Sequence, residues 1–446
     1  MRLIIIGADA TGMSAASRAK RNMQDLEVIV FEKTEDVSYS ACGMPYNIAD
    51  PDRRIEELVV RKADVFREKQ GIDLRTGHIV EMIEPDNKRV SGIDSKEYTF
   101  SLNYDRLLIA TGAVPIRPLL PGFDLPGVMI LKSLDDGRRI KEHLRKQKVK
   151  KAVIIGMGYI AMEMAESLKT RGIDVSMIKP RKRFIPWMNE KMAGLIKEEL
   201  EFHGVEIYTG LDIERIEKNR DGLGVITKGT TFDAQMVLIA TGVRPAYELA
   251  VRAGLELGPS NSISVNRCMQ TSDPDIYAAG DCADAYHMVT GEKVWIPLAL
   301  RANRSGWAAG DNMTGKESIV DGIVGTAVFK VFDLQVARTG LNIEQAKKAG
   351  FNPLERVIES STRAHAHPGS SPIWVQMVAD CKTGKLLGAQ LLSKEGAVHR
   401  INAVAAALHA KMTVAQFSQI DFAYAPPFGP VWDPLLVAAN QLIKKL

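Results

Sequence analysis

Short unbroken apolar runs alternate along this chain with stretches whose apolar residues recur three and four apart. Leu3–Ile6 is apolar throughout, which is how a parallel strand buried on both faces reads. The turn Gly7-Ala-Asp-Ala-Thr-Gly12 follows, then a predicted helix over 13–21 and an apolar strand over 27–31 that ends at Glu32. The same order returns at residues 152–155, with Gly156-Met-Gly158, a helix running to about Arg171, and a strand over 174–178 that ends at Lys179. Two more apolar strands finish alike, one in Ala-Thr-Gly112 before Ala-Val-Pro, the other in Ala-Thr-Gly242 before Val-Arg-Pro. This repetition predicts an internal duplication. A further signal, Ile276-Tyr-Ala-Ala-Gly-Asp281, predicts a strand delivering Asp281 to a loop or helix start. From about Gly322 the pattern changes. Strands are expected over 326–332, with Phe329 and Phe332 in the core, and over 373–379, half-buried by its alternation. A hairpin partner over 385–392 and helices over 343–349 and 399–410 complete an α+β module.

The 446 residues are 46% apolar and 25% charged, which fits a globular protein of several domains. A net charge of +4 is no nucleic-acid signature. The cysteines, Cys42, Cys268, Cys282 and Cys381, form no CxxC pair and no metal-ligand spacing. Neither a disulfide framework nor a zinc site is expected, and a reducing cytoplasm fits. The opening apolar run is too short for a signal peptide and is broken by Gly7. No apolar run of membrane-spanning length occurs.

The chemistry lies at the strand ends. Glycines after a first strand let a backbone approach a pyrophosphate at a helix N-terminus, and an acid ending the second strand takes a ribose hydroxyl. Gly7, Gly12 and Glu32 have this spacing, but Asp9 stands where the middle glycine belongs and repels a pyrophosphate unless its side chain turns away. In the second copy Ala161 fills the third glycine position. There Lys179 replaces the acid, and Pro180-Arg-Lys-Arg183 follows. A basic cluster at this point accepts the extra phosphate of NADP, so NADP(H) is placed ahead of strict NAD(H) use; the bland reading is a solvated basic loop. Asp281 is a candidate acceptor for a flavin ribityl hydroxyl, or simply a helix cap. Cys42 sits in Ser38-Tyr-Ser-Ala-Cys-Gly-Met-Pro-Tyr46. Taken alone it reads as a small buried hydrophobe; between two nucleotide patterns it reads as a redox nucleophile, with its thiol expected to be lowered by a helix N-terminus or nearby cations. No second cysteine stands within a few residues, which excludes a CxxxxC dithiol.

The ordered set Gly7…Gly12, Glu32, the Cys42 segment, Ala-Thr-Gly112, Gly156-Met-Gly158, Ala-Thr-Gly242-Val-Arg-Pro and Ala-Gly-Asp281-Cys-Ala-Asp resembles the single-cysteine pyridine nucleotide-disulfide oxidoreductases. That group includes coenzyme A-disulfide reductases, NADH oxidases and peroxidases, and CoA persulfide or polysulfide reductases. The resemblance implies an α/β fold with two Rossmann-like domains plus an α+β dimerisation domain. FAD would take residues 1–113 and 247–321, NAD(P)H residues 114–246, and dimer contacts residues 322–446. It implies FAD contacts at Gly7, Gly12, Glu32, Lys33, Ser40, Val80, Ala110, Thr111, Gly112, Asp281, Leu298 and Ala299. Nicotinamide nucleotide contacts fall at Gly156, Gly158, Tyr159, Ile160, Glu163, Lys179 and Gly242. For coenzyme A it implies Arg18, Arg21, Ser38, Asn303 and Trp432, and for catalysis Cys42 with Tyr424, the latter brought to the partner's site in a homodimer. The leading expectation is reduction of CoA disulfide, CoA persulfide or polysulfide. The alternative is an NADH oxidase or peroxidase cycling through a Cys42 sulfenic acid. Two positions depart from the family pattern: Ala41 replaces the usual Asn, and Ala364-His-Ala-His367 replaces a tyrosine pair, leaving His367 as a substitute acid. The expected partner is a small thiol, disulfide or persulfide, with no nucleic acid and no membrane.

Overall fold

The structure is a computed structural model describing residues 1–446. Strand β1 (Arg2–Ile6) turns into helix α1 (Ala10–Asn22), and β2 (Glu27–Phe31) returns beside β1 in parallel. They belong to a five-stranded parallel sheet ordered Ile276–Ala278, Arg106–Ile109, β1, β2, Asp73–Arg75. The second copy builds a parallel sheet ordered Val205–Thr209, Asp174–Lys179, Lys151–Ile155, Met236–Ile239, Val128–Met129. Each carries a three-stranded antiparallel sheet on its chain path, over residues 78–103 and 213–234.

The duplication reaches single bonds. Gly7 N donates to Phe31 O at 2.8 Å, and Gly156 N to Ile178 O at 2.9 Å. Both glycines have φ above +100°, and a Cβ on either would lie within 2.3 Å of a carbonyl oxygen, of Ala110 or of Ala240. No other residue fits these two turns. The tripeptides after the two Ala-Thr-Gly turns pair with each other, Ala113 with Pro245 and Pro115 with Val243. The repeated motif is therefore the bridge between the two units.

The third unit is an antiparallel sheet ordered Ala327–Val331, Leu334–Gly340, Leu386–Ser393, Pro372–Asp380, Pro353–Ser361. Its strand Pro372–Asp380 departs from the half-buried expectation: Ile373, Val375, Gln376, Met377, Val378 and Ala379 are all buried. Helices Ala397–His409 and Pro434–Ile443 cover one face, and Ile343–Lys348 lies over Val378 on the other. Phe329 is core, but Phe332 is a half-buried turn residue with φ of 49°, its ring stacked on His203 at 3.9 Å. No helix is long and apolar enough to cross a membrane.

Candidate active site

Cys42 lies in a single 3₁₀ turn, Ala41–Gly43, that runs into the short helix α2 (Met44–Ala49). In sequence α2 follows the first nucleotide turn. In space it docks on the second unit, against α3 (Leu134–Lys146) and α4 (Tyr159–Thr170). Met44 and Ile48 share a core with Leu134, Ile140, Met162 and Met164. The polar groups of α2 go the same way. Tyr46 Oη donates to Glu163 Oε1 at 2.8 Å, Ser167 Oγ donates to Pro45 O at 2.7 Å, and Arg171 donates to Ile48 O at 3.0 Å. Lys141 Nζ reaches the Asn47, Asp50 and Arg53 carbonyls between 2.6 and 2.9 Å. Cations at the carbonyl end of a helix are favourable, so α3 and α4 hold the far end of α2 and thereby aim Cys42.

The thiol is exposed in the single chain, yet its surroundings push it up from its ordinary value. Burial of its flank is the main cause, the carboxylates of Glu163 and Asp281 add to it, and Lys132 opposes. This corrects the expected lowering. The helix beyond Cys42 is only six residues long, and the charges facing the sulfur are mainly negative. Burial likewise raises Glu163, with the Tyr46 hydrogen bond opposing, and raises Tyr46.

The first nucleotide turn answers the question posed by Asp9. Its Oδ1 accepts from Tyr39 N at 3.3 Å, so the side chain leans toward the Cys42 segment while its carboxylate stays beside the Ala10 N–H at the start of α1. Helix α1 is left without a side-chain cap. Glu32 accepts Ala8 N–H at 2.9 Å and Thr34 N–H at 2.9 Å. The Asp281 carboxylate, at the turn after Ile276–Ala278, has no hydrogen-bonding protein partner, and Gly112, with φ of 70°, faces open space. An uncapped helix start, an acid at the ribose position and an unpaired acid at the end of the sheet fit the pyrophosphate, ribose and ribityl groups of FAD. The other residues expected around FAD spread over several elements. Ser40 and Lys33 are exposed, Val80 is buried, Ala110 and Thr111 are half-buried, and Leu298 and Ala299 open the helix Ala299–Met313.

In the second turn α4 also begins without a side-chain cap, at Gly158, above which there is open space. Ile160 is exposed, and Gly242 has φ of 115°. Tyr159 is set apart from them, its ring packed at 4.7 Å from Phe329 and edge-on to Trp187. Lys179 donates to Arg183 O and Phe184 O, both at 2.9 Å, so its ammonium folds into its own loop.

Of the residues expected at coenzyme A, Arg18 is held by Asp311 through two bonds of 2.7 and 3.1 Å, while Arg21 is exposed. Asn303 accepts from Ser14 at 2.8 Å, which ties the helix Ala299–Met313 to α1. Ser38 has φ of 47°. Tyr424 and Trp432 stand on a loop of the third unit, and no hydrogen bond links them to the Cys42 segment within one chain. Arg400 shapes that loop, donating to Asp433 at 2.8 Å and to Phe428 O at 3.0 Å. The segment with His367 lies beside it, through Ala364 N donating to Pro426 O at 3.1 Å. Tyr46, Lys141, Ser167 and Arg400 carried no signal in sequence, since the partners described above lie 28 to 122 residues away.

Two dinucleotide turns, with one cysteine in a segment bonded to Asp9 in the first and to Glu163 after the second, define a redox enzyme that passes electrons between a pyridine nucleotide, a flavin and a sulfur. The chain belongs to the pyridine nucleotide-disulphide oxidoreductase family, whose model matches residues 1–306, with the family's dimerisation domain matching residues 326–434. It is an FAD-dependent oxidoreductase that uses NAD(P)H. It is 40% identical over 447 residues, 99% of each chain, to an NAD(P)H sulfur oxidoreductase (CoA-dependent) of Pyrococcus furiosus. It is 34% identical to an NADH oxidase of Methanocaldococcus jannaschii, over 100% of this chain and 99% of that one. The structure of an NAD-dependent persulfide reductase from A. fulgidus superposes with a TM-score of 0.96 at 34% identity, over 100% of this chain and 83% of that one.

Proposed function

We propose that this protein reduces a sulfur–sulfur bond, in CoA disulfide, CoA persulfide or polysulfide, at the expense of NAD(P)H and through the single thiol of Cys42. The observation that carries this is the place of Cys42, in a turn flanked by Asp9 and Asp281 of the first unit and by Glu163 of the second. FAD, when bound along the first turn, supplies the two-electron store between nicotinamide and thiol. Residues 1–113 with 247–321 form the flavin unit, 114–246 the nicotinamide unit and 322–446 the dimer unit. Cys42 as thiolate attacks one sulfur of the acceptor, forms a mixed disulfide and releases the other sulfur as a thiolate. The raised thiol places a requirement on the site, because a proton has to leave Cys42 before attack. Glu163, held by Tyr46, is the carboxylate that receives it. The partner subunit's Tyr424 protonates the departing sulfur. Arg21 and the α1 surface supply positive charge for the phosphates of coenzyme A. The enzyme acts in the cytoplasm as a homodimer.

The test is NAD(P)H oxidation with each sulfur acceptor and with oxygen, for the wild type and Cys42→Ser. Sulfur-dependent turnover that Cys42→Ser abolishes supports the reading, as does a coenzyme A adduct on Cys42 by mass spectrometry. Undiminished turnover in Cys42→Ser rejects it. A second reading, oxygen or peroxide reduction through a Cys42 sulfenic acid, is favoured by the likeness to an archaeal NADH oxidase. Dioxygen consumption at a rate exceeding that with any sulfur acceptor would establish it instead.

A further inference from the structure

The two nucleotide turns are close copies, which makes each a control for the other. In the first, the residue after the bonded strand end Phe31 is Glu32, turned back onto the glycine loop by its bond from Ala8. In the second, the residue after the equivalent strand end Ile178 is Lys179. An acid at this place receives a ribose diol, and a cation receives a ribose phosphate. The ammonium of Lys179, however, is consumed by the carbonyls of Arg183 and Phe184. Those bonds curl the run 179–184 into a tight loop that displays Arg181 and Lys182 outward, both exposed. Neither pairs with a carboxylate, although the chain forms ion pairs at 27 other places. Lys182 lays its stem against Gly210, at the end of the next strand. Arg183 is turned elsewhere, toward a cavity shared with Trp187, Asn189 and Asn342 of the third unit. Three exposed cations and a half-buried one, without a single carboxylate partner, repel one another, and a dianionic phosphate relieves that. The planar guanidinium of Arg181 suits two phosphate oxygens at once.

We infer that the dinucleotide of this enzyme is NADPH, its 2′-phosphate held by Arg181 and Lys182, with Lys179 a positioning residue that shapes their loop. The inference deepens the proposed function and rests on its assignment of the second turn to the nicotinamide nucleotide, but it does not depend on which acceptor is reduced.

The experiment is a binding titration of the oxidised, flavin-loaded enzyme with NADP⁺ and with NAD⁺, followed by calorimetry in the absence of any sulfur acceptor. The wild type is expected to bind NADP⁺ about tenfold to a hundredfold more tightly than NAD⁺, the range for losing charge-assisted phosphate bonds. Arg181→Ala with Lys182→Ala is expected to remove most of that ratio. In competition, 2′,5′-ADP should outbind 5′-AMP in the wild type and lose that advantage in the double variant. Lys179→Met should weaken both dinucleotides together, by disordering the loop. The inference is overturned if the wild type binds NAD⁺ at least as tightly as NADP⁺, or if the double variant keeps the ratio. A Lys179→Met loss confined to NADP⁺ overturns the positioning role. An enzyme that fails with every sulfur acceptor but keeps the NADP⁺ preference refutes the proposed reaction and leaves this inference standing.

Discussion

At the scale of single residues, Asp9 shows how position changes the meaning of a charge. Placed where a glycine is usual, it caps nothing on α1 and instead binds the backbone of Tyr39, tying the flavin turn to the segment that bears Cys42. Burial pushes its carboxyl up to about 6, with the Tyr39 bond opposing. The native state therefore holds this proton through the window from about pH 4 to about 6, and Asp9 weakens folding as the pH rises through it. Above pH 6 the charge also stands near the first-turn amides of α1, where an anion belongs. Asp9→Asn keeps an acceptor for Tyr39 and removes the charge. It is expected to retain FAD about threefold to tenfold more tightly at pH 8, the advantage fading below pH 6, where the wild-type carboxyl is neutral. Flavin release followed by fluorescence checks this, and an advantage independent of pH would defeat it.

At the scale of elements, the decisive feature is that short pieces are held by units other than their own. Helix α2 takes its cap, its core contacts and its direction from α3 and α4. The loop bearing Tyr424 takes its shape from Arg400, whose guanidinium fits because Gly396 and Gly429 leave room beside it. Arg400→Met leaves the Phe428 carbonyl and Asp433 without that partner. The nucleotide turns lie in other units, so reduction of the flavin by NAD(P)H, seen by stopped flow, should be unchanged. Reoxidation by the sulfur acceptor should fall about tenfold or more, the scale for a displaced acid group. An equal fall in both half-reactions would show that Arg400 supports the fold at large and not the loop.

At the scale of the whole molecule, the third unit leaves an apolar ridge uncovered, with Phe428 79% and Trp432 62% exposed beside Val431 and Tyr424. In the proposed homodimer this ridge is covered and Tyr424 reaches the partner's Cys42. Trp432→Glu places a charge in that contact, and is expected to yield monomers by analytical ultracentrifugation that keep FAD but lose acceptor reduction. Full activity in a monomer would refute the shared site. The duplicated turns, the repeated Ala-Thr-Gly motifs and three of the third unit's five strands were legible in the sequence because each follows from local chemistry: glycine where φ is positive, apolar runs where sheet faces are covered; the strands Leu334–Gly340 and Pro353–Ser361 were not read. The solitary Cys42 was legible for the same reason, from the motifs on either side of it. What the chain order did not disclose was decided by packing. The thiol is raised and not lowered, because acids from Asp9, Glu163 and Asp281 meet around it only when the units close. Lys179 folds inward because carbonyls four and five residues ahead capture it. The strand Pro372–Asp380 is buried on both faces because three separate helices converge on it. Local patterns determine which turns and strands exist. The charge seen by a sulfur, and the direction an ammonium points, depend on neighbours that only the folded chain brings within a few ångströms.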